Sequence, residues 1–112
     1  MTDKSAKYLS DIQYSISLIE RFLEKITSFS IYQSDLKTQS AVERQLGIIG
    51  EAANKFRQQE EPDIILNHTK QIINLRNRII HSYDSVDAAI IWTIVKNHLP
   101  ALKREVDKLL EN

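Results

Sequence analysis

The chain has 112 residues, 42% of them hydrophobic and 27% charged, with 15 basic and 15 acidic side chains. This is the profile of one folded domain spanning 1–112 rather than of a disordered chain. Zero formal net charge excludes duplex-DNA binding by bulk charge, and the lack of cysteine excludes disulfides, thiol catalysis and cysteine metal sites.

Helical periodicity begins near the N-terminus. Leu9, Ile12, Ile16, Ile19, Leu23 and Ile26 recur at spacings of three and four, one stripe of a helix, with Asp3 or Ser10 as its cap. Ser28 to Ser34 breaks the pattern and reads as a loop. A second helix is expected from an N-cap at Ser34, with Asp35 in its first turn, to about Gln59. Val42, Leu46, Ile49, Ala53 and Phe56 form its stripe. Gly47 and Gly50 lie inside that stretch, where each costs about 1 kcal/mol relative to alanine. They point either to close helix packing or to a dimer seam. A polar break with Pro62 follows, then a short helical turn over Asp63 to Leu66. A third helix is expected from a cap at Thr69 to about Ser82. A fourth, capped by Asp84 or Ser85, carries Ala89 to Val95. A fifth opens on Pro100, with Leu102, Val106, Leu109 and Leu110 on one face. The fold expected is all-α, a bundle of four or five helices with short connections. Two glycines and two prolines are too few turn-formers for a many-stranded β domain. No apolar run approaches the roughly 18 residues of a membrane span. Met1 to Lys7 is polar with no apolar core after it, unlike a secretory signal, so the expected compartment is the cytoplasm.

The third helix carries the chemistry. At about 100° per residue, Ile72, Ile73, Leu75, Ile79 and Ile80 span one apolar face, and Arg76 falls near its middle. A guanidinium there must be paired, snorkel outward, or face a polar cleft or an interface. His81 lies about 140° around the helix and roughly 7.5 Å along it from Arg76. A twofold dimer pairing two such helices would gather two arginines and two histidines round one cleft. Between Asp63 and Asp84 there is no acidic residue, while Lys70, Arg76, Arg78, His68 and His81 lie there. That is a local basic stretch in a neutral chain, and by pattern alone it is also what a solvated helix face looks like.

Arg76, then Asn77-Arg78-Ile79-Ile80, then His81-Ser82-Tyr83 resembles the Arg-x4-His-x-Tyr motif of the HEPN domain family, and within it the HepT-like ribonuclease toxins paired with MNT nucleotidyltransferase antitoxins. The resemblance extends to Ala41-Val42-Glu43-Arg44, Ile49-Gly50-Glu51-Ala52, Val86-Asp87, Trp92 and Asn97-His98-Leu99-Pro100, nearly the whole chain in order. One departure is the Trp that many relatives carry just upstream of the motif Arg; here that stretch is Leu66 to Gln71. The resemblance implies an all-helical homodimer, open to higher assembly, whose two motifs line a shared cleft. It implies metal-independent cleavage of single-stranded RNA, with no cofactor. His81 would be the acid/base, Arg76 the phosphate clamp and Asn77 its support. Arg78 would bind the RNA backbone or form a surface ion pair. Glu51 would either pair with the motif Arg or stand as a surface carboxylate. Tyr83 would be where the partner nucleotidyltransferase attaches AMP; by its residue type alone it reads as a partly buried aromatic.

His68, His81 and His98 are 13 and 17 residues apart with no His-x-x-x-His pair, so no zinc site is expected. There is no phosphate-binding glycine loop or nucleophile elbow. Trp92, among Ile90, Ile91, Ile94 and Val95, reads as core or interface rather than a base-stacking platform. Two other readings stand beside the ribonuclease: a non-catalytic nucleotide- or substrate-binding module for a nucleotidyltransferase, and a purely structural helical dimer.

Overall fold

The computed structural model describes residues 1–59, 64–81 and 87–111, with Ile79, Ile80 and His81 described by backbone alone. Five helices and no strand are found among the described residues: α1 (Asp3–Phe22), α2 (Phe29–Ser34), α3 (Leu36–Gln59), α4 (Lys70–His81) and α5 (Ala88–Glu111). The all-α expectation holds. None of these helices is long and apolar enough to cross a membrane.

Several boundaries differ from the sequence reading, each for a local reason. Thr2, not Asp3 or Ser10, caps α1, its hydroxyl accepting from the Ser5 amide. The helix stops at Phe22, yet Leu23 and Ile26 beyond it still pack on the core. The expected loop over 28–34 is mostly helix. The Ser28 hydroxyl accepts from the Ile31 amide to start α2, and Tyr32, 1% exposed, anchors it. Six residues are too few for a period to show in sequence. Asp35, not Ser34, opens α3. Its carboxylate accepts from the Thr38 amide at 3.0 Å and the Thr38 hydroxyl at 2.6 Å. Those two bonds, the hydroxyl first, hold the Asp35 carboxyl below the usual carboxylate range.

Ile64 to Leu66 forms no helical turn, and the rest of the expected turn, Asp63, lies outside the described residues. Thr69 stands just before α4, but its hydroxyl donates to the Leu66 carbonyl instead of accepting from the helix. Expected helices four and five are one continuous helix, α5, with Pro100 inside it. The ring removes one donor. Leu99, Leu102 and Val106 are nonetheless buried in line with Ile91, Ile94 and Val95, so packing carries the helix through. Asp87 accepts from the Ala89 amide at its start, while Asp84 and Ser85 lie outside the described residues.

α3 is the hub, packing against α1, α2 and α4, and α5 closes over α1 and α2. The sequence stripes are the core. Leu9, Ile12, Ile16 and Ile19 of α1 and Val42, Leu46, Ile49, Ala53 and Phe56 of α3 are all buried, joined by Ile72 and Leu75 of α4. Trp92 belongs to the edge of this core. Its ring centroid lies 5.2 Å from Tyr32 and 6.1 Å from Phe29, and Lys96 sits over it at 4.5 Å.

The two glycines part company. A Cβ on Gly47 would meet nothing within 4 Å. Gly47→Ala is therefore expected to stabilise the chain by about 0.5–1 kcal/mol through helix propensity, read from urea denaturation. A destabilised variant would show that a second backbone lies against this position.

Candidate active site

The anomaly of an arginine on an apolar helix face is resolved by Gly50. A Cβ there would lie 2.7 Å from Arg76 Cβ and 3.0 Å from the Ile72 carbonyl oxygen. α3 thus has no side chain where α4 crosses it, and the stem of Arg76 lies over the gap. Ile72 and Leu75, at and beside the crossing, are buried and fix the height of α4 against α3. The arginine side chain is 23% exposed, its aliphatic part covered and its head turned outward.

The head is held from two sides. Nη2 pairs with the Glu51 carboxylate, and Nη1 donates to Asn77 Oδ1 at 3.0 Å. Glu51 is on α3, one residue after Gly50, so the glycine that admits the stem also delivers the carboxylate. Lys55, one turn on, approaches the same carboxylate at 3.5 Å. The cluster therefore carries one carboxylate between two cations and a net positive charge. The ion pair is partly exposed, and such pairs contribute roughly 0–1 kcal/mol to stability. Its effect is orientation. A guanidinium has five N–H donors, and two are engaged here by described residues. The Nη1 and Nη2 hydrogens not engaged by described residues can grip an anion in bidentate fashion. Arg76 Nε is buried without a partner among the described residues.

His81 is the last residue of α4, and its side chain lies outside the described residues, as do Ser82 and Tyr83. Arg78 is exposed and forms no ion pair with another described residue. The structure therefore brings together Arg76, Glu51 and Asn77 of the residues singled out in sequence.

An open groove of about 470 Å³ adjoins the cluster. Lys7 and Tyr8 of α1 and Glu43, Arg44 and Ile48 of α3 line it, with Glu51 and Arg76. Burial raises the Glu43 carboxyl above its ordinary range. The sequence reading missed this groove. Its one local sign is a stripe of Arg44, Gly47, Glu51 and Lys55 at spacings of three and four, polar and interrupted by a glycine; the α1 wall leaves no such sign. The rings of His68 and His98, thirty residues apart, also meet, with centroids 6.1 Å apart. Among the described residues no group of three or more His, Asp or Glu converges as a metal site.

A family model described as Ribonuclease HepT-like matches residues 12–109. A Thermococcus cleftensis protein named "Probable ribonuclease HepT" is 40% identical over 106 residues, covering 91% of this chain and 92% of its own. Two Methanocaldococcus jannaschii proteins, each named "Putative RNase", are similar over nearly the whole length. One is 34% identical over 104 residues, 89% of this chain and 91% of its own. The other is 32% identical over 110 residues, 94% of this chain and 86% of its own. No solved structure matches the chain.

Proposed function

The chain belongs to the HepT-like ribonuclease family, and on that premise we propose that it is a metal-independent endoribonuclease of the toxin type, cutting single-stranded RNA in a cleft formed by two copies. The observation that supports this best is Arg76, held by Glu51 and Asn77 at the wall of an open groove, five residues before His81 on the same helix.

RNA brings its own nucleophile. The 2′-oxygen bonds to phosphorus, the bond from phosphorus to the 5′-oxygen breaks, and a 2′,3′-cyclic phosphate is left. One proton leaves the 2′-hydroxyl and one reaches the departing 5′-oxygen. Imidazole titrates near neutral pH and suits both transfers, and a dimer cleft supplies two His81 side chains, one accepting and one donating. Arg76 grips the phosphate and stabilises the charge that grows in the transition state. Asn77 and Glu51 keep its plane fixed. Arg78 contacts the RNA backbone.

Regulation follows from the same charges. In our reading a cognate MNT-type nucleotidyltransferase, the antitoxin, transfers AMP from ATP to the hydroxyl of Tyr83, two residues after His81, with loss of the hydroxyl proton and release of pyrophosphate. Each added phosphate brings negative charge that competes with RNA for Arg76.

The test is cleavage of RNA by protein of unmodified intact mass, in chelator, beside His81→Ala. Wild-type cleavage leaving cyclic phosphate ends is expected, with the variant at least about a hundredfold slower. No cleavage of any of several RNAs by unmodified wild type would replace the enzyme with a non-catalytic module serving a nucleotidyltransferase.

A further inference from the structure

The groove between α1 and α3 has no role in the proposed cleavage step, yet Arg76 forms part of its wall. Its charges are mostly spent internally. Lys7 bonds Asp11 at 2.8 Å, and Glu51 lies between Lys55 and Arg76. Glu43 and Arg44 are the exceptions: neither has an ion-pair partner among the described residues, Glu43 is partly buried with its carboxyl raised by burial, and Arg44 is exposed. Arg44 stands seven residues before Glu51 on α3, about 10 Å along the helix axis. Arg44 and the Arg76 that pairs with Glu51 thus share one groove wall, and their long side chains can reach toward the two phosphates flanking one nucleotide. The groove also offers Tyr8, whose ring packs against the core and is partly exposed. Lys7 Nζ lies 5.8 Å from that ring, in the cation–π range.

A neutral chain cannot attract RNA by bulk charge. Attraction must come from a local track, and a track needs both a cation for phosphate and a flat face for a base. From this juxtaposition we infer that the groove is the subsite for the nucleotide next to the scissile phosphate, with Arg44 binding the following phosphate and Tyr8 stacking on the base. The inference rests on the ribonuclease reading and extends it to substrate positioning. Stacking tolerates every base, so the subsite reads single-strandedness rather than sequence.

The experiment compares wild type with Tyr8→Ala, Tyr8→Phe and Arg44→Ala. Each is assayed for RNA cleavage and for binding of a fluorescent 2′-O-methyl oligonucleotide that cannot be cut, over a range of salt. Circular dichroism and sedimentation are recorded on the same samples. Tyr8→Ala and Arg44→Ala are expected to weaken binding and raise KM about tenfold, with a much smaller change in kcat. Tyr8→Phe keeps the ring and retains binding. Arg44→Ala also lowers the slope of log affinity against log salt by roughly 0.7, the signature of one lost single-strand phosphate contact. Wild-type cleavage with both alanine variants binding normally would overturn the subsite and leave the ribonuclease standing. A dimer that Arg44→Ala splits into monomers would overturn it too, since the groove would then be a seam between copies. Wild type that neither cuts nor binds RNA would remove both readings.

Discussion

Replacing Arg76 with alanine is expected to slow RNA cleavage by two to three orders of magnitude, the usual loss when a transition-state donor is removed. Stability should change little, because the Glu51 pair is partly exposed and only the arginine stem is packed. Arg76→Lys should not restore the rate: an ammonium is a point charge and cannot reproduce the planar fork. Glu51→Gln offers a sharper test of how the residues work together. Alone it should slow cleavage by freeing the guanidinium from its fixed plane. In an Arg76→Ala background it should add nothing, because the group it positions is gone. Steady-state kinetics on the four proteins of this cycle measure the coupling. An Arg76→Ala protein cutting at the wild-type rate would end the phosphate-clamp assignment.

Gly50→Val is expected to cost about 2–3 kcal/mol of stability and to abolish cleavage with it. Its Cβ would have to occupy space 2.7 Å from Arg76 Cβ and 3.0 Å from the Ile72 carbonyl, and neither is the free end of a flexible side chain. α4 must therefore lift away from α3, at the cost typical of overpacking. Gly50→Ala is the milder case. Alanine gains about 1 kcal/mol in helix propensity, so its net loss should be nearer 1 kcal/mol. Gly47→Ala, three residues away with nothing to strike, should shift the urea midpoint the other way. Opposite signs for the same substitution on one helix would locate the close contact at Gly50, and equal signs would remove it.

The core was legible because burial imposes a period on the chain. The stripes of Leu9 to Ile19 and Val42 to Phe56 mark the buried faces of α1 and α3 without reference to anything distant. α2 left no period, only a capping serine and an aromatic four residues later. The unity of α5 was hidden by Pro100, whose local preference for a first turn was outweighed by burial on both sides of it. At the site, Arg76 was conspicuous as a cation on an apolar face, and Glu51 was visible as a choice between partner and surface. What decided that choice, the contact of Gly50 with Arg76, is a relation between two helices, and no single stretch encodes it. The groove wall of Lys7 and Tyr8 was unreadable for the same reason. The roles of His81 and Tyr83 rest on the motif, since neither side chain is among the described residues.

α4 is 12 residues long and packs chiefly on α3. A helix of that length is marginal in water by itself. Its amides should therefore exchange with solvent through opening of the α3–α4 crossing, well below the cost of global unfolding. The same opening separates Arg76 from Glu51. An anion that needs both in place binds only the closed form, and so slows exchange throughout α4 in proportion to its own saturation. Deuterium uptake along one short helix thus reports occupancy of the site, without any RNA being cut.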